Sequence, residues 1–376
     1  MSAVRIALIG GGWVVQNVWL PLLVEAGAKP VCVVDPSPEV GSALLPRFPG
    51  IRIEPELSAK ALAGCDAAFI CSPNVHHVGH AAFALTQGIH VILEKPACFS
   101  LEQAEHLIGL SRRQQCGLWV TSASSYRSDV RRMAEQVRGG GLGRLHCVDV
   151  SWRRQAGIPR LGSWFTRAGS AIAGSGGDLG WHLLEVALGL LDYPTIHSGF
   201  SRQVRAAAPQ RFLAAWRDDA SADLDAELSV DTQLFGCLLI ETGAVVRLST
   251  AWASHQERDE TTVLAYGDEG ELALHSTFGF STNGTREPRL TLARLGVMEE
   301  LQFDTEDKIA PYRAFVQTAL ERIGCASTGD LDVIEVDYRK LRSLGSAMGV
   351  LYSTPDVSAG ISCSSVQDVY TPEVAS

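Results

Sequence analysis

The chain has 376 residues, 46% of them hydrophobic and 20% charged, which excludes a disordered or fibrous protein and leaves one large or two medium domains. A chain of this length buries a substantial core without disulfide staples. Acidic side chains outnumber basic ones 42 to 32, a formal net charge of -10, and they are scattered along the chain, so nucleic acid, which wants a basic face, is a poor partner.

The first third alternates short apolar runs with helical patterns. The runs are Arg5 to Ile9, Val31 to Val34, Ala67 to Cys71, His90 to Leu93 and Leu118 to Thr121. This rhythm is the βαβ signature of a parallel, doubly wound sheet, whose strands are continuously apolar because helices cover both faces. It predicts an α/β first domain over residues 1–122.

The first run ends in Gly10-Gly11-Gly12-Trp13-Val14-Val15, after which a helical pattern begins. In a dinucleotide-binding turn the first glycine permits the tight bend, the second lets the backbone approach the pyrophosphate, and the third lets helix and strand pack closely. Gly10 and Gly12 fit, Trp13 and Val14 complete the candidate loop, and Val15 departs from the pattern at the packing position. Asp35 closes the second run at the spacing where a carboxylate hydrogen-bonds the adenosine ribose hydroxyls. Pro36 and Ser37 follow it, with no Arg or Lys to pair with a 2′-phosphate, so NAD is favoured over NADP.

Two later runs lead into Cys71-Ser72-Pro73-Asn74-Val75-His76-His77 and Leu93-Glu94-Lys95-Pro96. Both segments lie at the carboxyl ends of parallel strands, the edge where open α/β sheets bind ligands. Only five of the cations are lysines, and Lys95 stands directly after a buried strand. His76 and His80, at i and i+4, have no carboxylate or cysteine near them in sequence to complete a coordination shell, and no metal site is expected.

After residue 122 the pattern changes. A helix is expected near Ser128 to Arg138, a strand near Leu145 to Trp152, an irregular Gly-rich stretch, and a helix from about Ser175 to Leu191. Strands Val230 to Ile240 and Val245 to Ala253 are joined by the turn Glu241-Thr242-Gly243-Ala244. Tyr312 to Ile323 and Tyr338 to Leu351 carry helical spacing. Residues 123–353 therefore read as an α+β domain with a large, mostly antiparallel open sheet, and residues 354–376 as a loosely held tail. Gly139-Gly140-Gly141-Leu142-Gly143 follows a helix and precedes a strand, so it reads as a helix C-cap and turn and not as a phosphate loop.

In order and spacing these motifs resemble the Gfo/Idh/MocA family of oxidoreductases. The resemblance rests on the Gly-rich turn, Asp35, Ser72-Pro73-Asn74 with His77, Glu94-Lys95-Pro96, and Gly176-Gly177-Asp178-Leu179-Gly180-Trp181-His182, which looks like that family's D-x-G-x-H element. It spans about residues 4 to 350. It implies a Rossmann domain holding NAD, cofactor contacts at Ser72, Pro73, Asn74, His77, Glu94 and Lys95, and a Lys95–Pro96 peptide that is often cis. It also implies a catalytic trio in which Lys95 and His182 transfer protons and Asp178 binds substrate. Glu185 stands where family members often carry Asp.

The residues support such roles on their own chemistry. Oxidising a secondary alcohol needs a base for the hydroxyl proton and a group that stabilises the developing alkoxide beside the nicotinamide. Lys95 and His182 are of the right types; His182 is taken here as the base, with Lys95 the alternative. Asp178 and His182, at i and i+4, share a helix face, where the carboxylate can orient the imidazole or favour its protonated form. Ser125-Tyr126-Arg127 and Trp152-Arg153-Arg154 leave elements expected to face the nicotinamide and are candidates for the substrate wall.

The resulting expectation is an NAD-dependent oxidoreductase that interconverts a secondary hydroxyl and a ketone on a polyol, sugar, amino sugar or cyclitol. Two alternatives use the same scaffold: a glycoside hydrolase that recycles bound NAD without net redox change, and a non-catalytic dinucleotide- or sugar-sensing regulator, against which Lys95, Asp178 and His182 argue. A homodimer or homotetramer through the C-terminal sheet is expected. Nine cysteines without a C-x-x-C pair, no leader-like start and no apolar stretch of about 18 residues point to reduced thiols in a cytoplasmic protein with no membrane partner.

Overall fold

The computed structural model describes residues 3–205, 213, 228–285, 287–326 and 334–353; the expected tail lies outside them. The first domain runs β1 (Arg5–Ile9), α1 (Leu20–Glu25), β2 (Lys29–Val34), α2 (Pro38–Leu44), β3 (Arg52–Glu54), α3 (Ala59–Leu62), β4 (Ala67–Ile70), α4 (Asn74–Thr86), β5 (His90–Leu93), α5 (Leu101–Gln114) and β6 (Leu118–Val120). All six strands are parallel, in the order β3-β2-β1-β4-β5-β6. This is the doubly wound arrangement with its switch between β1 and β4, where ligands bind at the strand ends. Every residue of β4 is buried, as a two-sided cover requires. The sequence reading missed β3, a three-residue edge strand in which two of the residues are charged.

A π-helical turn over Val15–Trp19 precedes α1. It comes just before Pro21, which lacks the N–H a regular turn would use. The wide turn buries Val15 and Trp19 completely or nearly so, and it seats a Val where the dinucleotide motif calls for a small residue.

The second domain runs α6 (Ser128–Arg138), β7 (Leu145–Arg153), α7 (Ala168–Ala171), α8 (Ser175–Asp178), α9 (Gly180–Leu190), β8 (Ile196–Val204), β9 (Gln233–Ile240), β10 (Val245–Ala251), β11 (Glu260–Gly267), β12 (Glu271–Ser276), β13 (Arg289–Arg294), β14 (Val297–Glu300), α10 (Ala310–Ala326) and α11 (Glu335–Ser353). Its sheet has the order β14-β13-β12-β11-β7-β10-β9-β8. Every pair is antiparallel except β7 with β10. Along β7 the even-numbered residues Val148, Val150 and Trp152 are buried while their odd neighbours are half-covered. One face thus packs under α9 and the other stays open, the alternation of a one-sided sheet. The hairpin between β9 and β10 turns at Gly243, φ +86°, as its sequence requires.

The expected helix from Ser175 to Leu191 is broken at Leu179 into α8 and α9. The last two helices return to the first domain. Tyr312 and Phe315 of α10 pack their rings 5.4 and 5.9 Å from that of Trp19, and Arg112 of α5 pairs with Glu335 of α11 at 2.8 Å.

Candidate active site

The carboxyl ends of β1, β2, β4 and β5 meet at the glycine turn. Gly10 has φ +97°, and a Cβ there would lie 2.6 Å from the carbonyl oxygen of Cys71, so only glycine lets β1 and β4 end this close. A Cβ on Gly12 would meet nothing within 4 Å, which leaves room for a ligand to approach the backbone. Asp35 accepts hydrogen bonds from the amides of Gly11, at 2.7 Å, and Ser37, at 2.9 Å. The carboxylate therefore sits beside the turn, and these residues fit a dinucleotide whose pyrophosphate approaches Gly12 and whose ribose approaches Asp35.

A cavity of about 180 Å³ opens next to this turn, lined by Gly12, Trp13, Val14, Ser72, Asn74, His77, Glu94 and Lys95. Trp164 and Phe165 of the second domain close it. Several of its walls are tied together internally. Asn74 donates from Nδ2 to the carbonyl of Ala171 in α7 at 2.8 Å, and Pro73 is the residue before α4. The Ser72 hydroxyl lies 3.0 Å from His80 Nδ1, and the His76 and His80 rings stack at 5.4 Å. Buried His77 has Nδ1 2.8 Å from the Pro96 carbonyl and Nε2 2.7 Å from the Ser72 carbonyl. Burial pushes its pKa down to about 4, overriding the two carbonyls that favour the charged ring. A neutral ring donates to only one of them at a time.

Glu94 is also committed within the chain. Its carboxylate accepts from Trp19 Nε1 at 2.8 Å, the Lys95 amide at 2.6 Å and the Thr121 hydroxyl at 3.2 Å, and burial raises its pKa. It ties the ends of β5 and β6 to the π turn and fixes the backbone from which Lys95 projects. The Lys95–Pro96 peptide is cis.

A second cavity, of about 260 Å³, continues from the first between the two domains and is lined by Lys95, Asp178 and His182 together. Lys95 Nζ lies 2.7 Å from Asp178 Oδ1 and 3.1 Å from the Asp178 carbonyl. Asp178 Oδ2 accepts from Trp252 Nε1 at 2.9 Å. Burial alone would raise the pKa of Asp178, but the Lys95 and Arg154 charges and its hydrogen bonds hold it well below the usual range. The short helix that carries Asp178 is capped from across the domain: Asp231 accepts from the Gly174 and Gly176 amides at 2.7 and 2.9 Å. A Cβ on Gly174 would collide with the Asp231 carbonyl oxygen, which restricts that position to glycine.

The expected pairing of Asp178 with His182 is not what the structure holds. The break at Leu179 separates them, and both Asp178 oxygens are taken by Lys95 and Trp252. His182 Nδ1 instead lies 3.0 Å from the Ser124 hydroxyl. Burial, and then the Lys95 charge, hold His182 well below the usual histidine pKa despite Asp178, so the ring is neutral. In the tautomer whose Nδ1–H donates to Ser124, Nε2 is left as a proton acceptor.

Three of the candidate substrate residues lie elsewhere. Tyr126 packs edge-on against Phe315 at 6.0 Å. Arg127 forks onto Asp129 at 3.0 and 2.7 Å and stands over the Phe278 ring. Arg153 follows the strand alternation to the open face of the sheet, 3.3 Å from the Ser249 hydroxyl. Trp152 does line the cleft, its ring 5.9 Å from that of His182, and Arg154 lines it too. Sequence reasoning missed Thr121, Phe165, Phe280 and Tyr312 in the walls. Only Thr121 sits beside a motif; the others come from segments with no local signal.

The fold and this site define a two-domain, dinucleotide-dependent oxidoreductase. Residues 4–122 match the oxidoreductase family, NAD-binding Rossmann fold, model of Gfo/Idh/MocA proteins, and residues 130–273 match the C-terminal domain of the same family. A relative named as the oxidoreductase subunit of a UDP-kanosamine synthase in Amycolatopsis mediterranei is 34% identical over 81% of this chain and 84% of its own. The D-glucoside 3-dehydrogenase of Escherichia coli is 26% identical over 75% of this chain and 80% of its own. Among solved structures, KijD10, a 3-ketoreductase from Actinomadura kijaniata in complex with NADP and TDP-benzene, superposes with a TM-score of 0.70 at 19% identity, over 93% of this chain and 97% of its own. The chain belongs to the Gfo/Idh/MocA family of oxidoreductases.

Proposed function

We propose that this protein interconverts a secondary hydroxyl and a ketone on a sugar, amino sugar or cyclitol, with NAD as the redox partner. The observation that carries the reading is the Lys95–Asp178 pair, 2.7 Å apart, in a cavity shared with a neutral His182 and adjoining the Gly12 opening. Sugar-acting names among the relatives, one of them specifying position 3 of a glucoside, favour a pyranose ring. The dinucleotide, when bound, supplies the hydride acceptor or donor at its nicotinamide.

The chain supplies the acid–base chemistry. In the oxidative direction His182 Nε2 takes the hydroxyl proton, and the Lys95 ammonium stabilises the charge that develops on that oxygen. Asp178 holds Lys95 in place from one oxygen and is itself fixed by Trp252 from the other. The Asp35 carboxylate, which would repel a 2′-phosphate, favours NAD over NADP. Trp164 and Phe165 cover the cofactor end and restrict water.

The second domain also suits self-association. The open sheet face carries Phe200, Phe235 and Leu239, which are 60%, 40% and 37% exposed, and a homodimer or homotetramer through this face would cover them. No described helix is long and apolar enough to cross a membrane.

The deciding experiment is calorimetric titration with NADH and with NADPH, followed by a panel of sugars and cyclitols monitored by nicotinamide absorbance. Preferential NADH binding and turnover of a ring alcohol support the reading. Binding of neither dinucleotide overturns it, and glycoside cleavage with no change in free NADH selects the hydrolase alternative.

A further inference from the structure

β7 ends at Arg153, and the next residue keeps its alternation. The Arg154 amide donates to the Ala251 carbonyl at 2.9 Å, and the side chain turns back to the cleft, with its guanidinium carbon 5.1 Å from the centre of the Trp152 ring. A Cβ on Gly157 would lie 2.5 Å from Arg154 Cδ, so the chain keeps a glycine where the arginine stem passes. Gly279 lies against the other partner, where a Cβ would sit 3.2 Å from the Trp152 ring. Gly157 thus makes space for the Arg154 stem and Gly279 for the Trp152 ring behind it.

Among the described residues this guanidinium has no anion of its own. Its Nε is buried without a hydrogen-bond partner, and no carboxylate among the described residues forms an ion pair with it. The other arginines read from the sequence as substrate candidates contrast with it: Arg127 is forked onto Asp129, and Arg153 is on the other face. The other carboxylates lining the cavity are already engaged. Asp178 is held by Lys95 and Trp252, Glu94 by three donors, and Asp259 by the Gln155 amide at 2.8 Å and the Ser281 hydroxyl at 2.7 Å. The Trp152 ring that backs the guanidinium lies 5.9 Å from the His182 ring, and Arg154 lines the same cavity as Lys95, Asp178 and His182. A planar fork whose buried Nε donor is unfilled, backed by an aromatic ring, is suited to an oxyanion.

We propose that Arg154 is the specificity residue of the cleft and that the ring alcohol oxidised here carries an oxyanion substituent, a phosphate or a carboxylate, which Arg154 binds. This rests on the reading of the protein as a sugar or cyclitol oxidoreductase and names the substrate class within it. The chemistry is shared by sugar monophosphates, nucleoside-diphosphate sugars and uronic acids, so the test separates them.

The probes are glucose 6-phosphate, glucose 1-phosphate, UDP-glucose, glucuronate and, as the neutral reference, methyl glucoside. Each is titrated by calorimetry into the NADH-loaded protein, in which no oxidation runs, and separately assayed for turnover with NAD+ as the hydride acceptor. At least one oxyanion-bearing sugar is expected to bind more tightly than methyl glucoside, and the strongest identifies the source. Arg154→Gln should lower the ratio of that sugar's affinity to the neutral one's by on the order of 10- to 100-fold, with Arg154→Lys falling between. Equal binding of neutral and anionic sugars by the unaltered protein, or an unchanged ratio in Arg154→Gln, overturns the proposal. Calorimetry keeps the two questions apart: an Arg154-dependent preference in binding without turnover sustains this assignment and counts against the catalytic reading, whereas turnover without the preference does the reverse.

Discussion

Lys340 of α11 and Glu185 of α9 form a buried ion pair, 2.6 Å apart, with side chains 5% and 0% exposed. The same Glu185 oxygen accepts from the Ser125 hydroxyl at 2.8 Å, while the adjacent Ser124 hydroxyl meets His182. His182 and Glu185 are three residues apart on one helix, and Ser124 and Ser125 are consecutive in the turn facing it. The pair therefore anchors the turn that orients the imidazole.

Glu185→Gln is expected to destabilise the protein by about 3–5 kcal/mol, because it leaves Lys340 buried and uncompensated. Denaturant titration measures this, and the double variant Glu185→Leu with Lys340→Met should recover much of the loss. Ser124→Ala removes the partner of His182 Nδ1 without disturbing the ion pair. It should lower kcat by about 10-fold or more with little change in melting temperature; a parallel loss of stability and rate would assign Ser124 a structural role.

Lys95→Ala should lower turnover by on the order of 10²- to 10⁴-fold, the range of a lost acid–base or charge-stabilising group, while NADH binding changes little. Asp178→Asn leaves Lys95 without its counter-charge and should act in the same direction. Near-normal turnover in both Lys95→Ala and His182→Ala would exclude the proposed chemistry.

The acid side of the rate profile follows from His182. Because its pKa is held well below 6.5, the ring stays neutral through the ordinary histidine range, and the acid limb of kcat/KM should fall well below pH 6.5. A limb centred near 6.5 would show that another group controls the rate.

Stability has its own pH dependence. An unfolded histidine takes up its proton near 6.5, whereas folded His77 resists until about pH 4. Between those values the unfolded state binds more protons, so stability rises with pH and is lost on acidification. His77 alone should remove about 2 kcal/mol between pH 7 and pH 5. His80, His90 and His182 are displaced in the same direction. His77→Gln should flatten part of this dependence in urea titrations at the two pH values.

Asp35→Ala should weaken NADH binding by about 10- to 100-fold, as loss of charge-assisted hydrogen bonds does, and should narrow the gap to NADPH. The variant also frees the Gly11 amide that Asp35 now holds. An unchanged NADH affinity would remove Asp35 from the cofactor site.

The parallel sheet was legible because its strands are uninterrupted apolar runs separated by helical patterns, and Lys95, Asp178 and His182 were legible because each lies in a compact local motif. Other parts of the site depend on distance along the chain. Trp252 reaches Asp178 from β10's end, and Asp231 caps α8 from 55 or more residues away. The pattern at 152–154 also misleads in an instructive way. Along β7 parity decides which side chain faces the cleft, so Trp152 enters, Arg153 does not, and Arg154, one residue past the strand, keeps to Trp152's side. The break at Leu179 likewise undoes the simple i, i+4 geometry of Asp178 and His182.

The return of α11 to the first domain bears on the order of synthesis. A growing chain that has emerged through α10 holds Lys95, Asp178 and His182 but lacks Lys340 beneath His182's helix and Tyr352, whose hydroxyl donates to the cap residue Asp231 at 2.9 Å. Until α11 arrives, the Glu185 carboxyl lacks the Lys340 ammonium that faces it in the folded protein. The N-terminal domain can assemble early on the ribosome, but this cleft matures only once α11 has emerged.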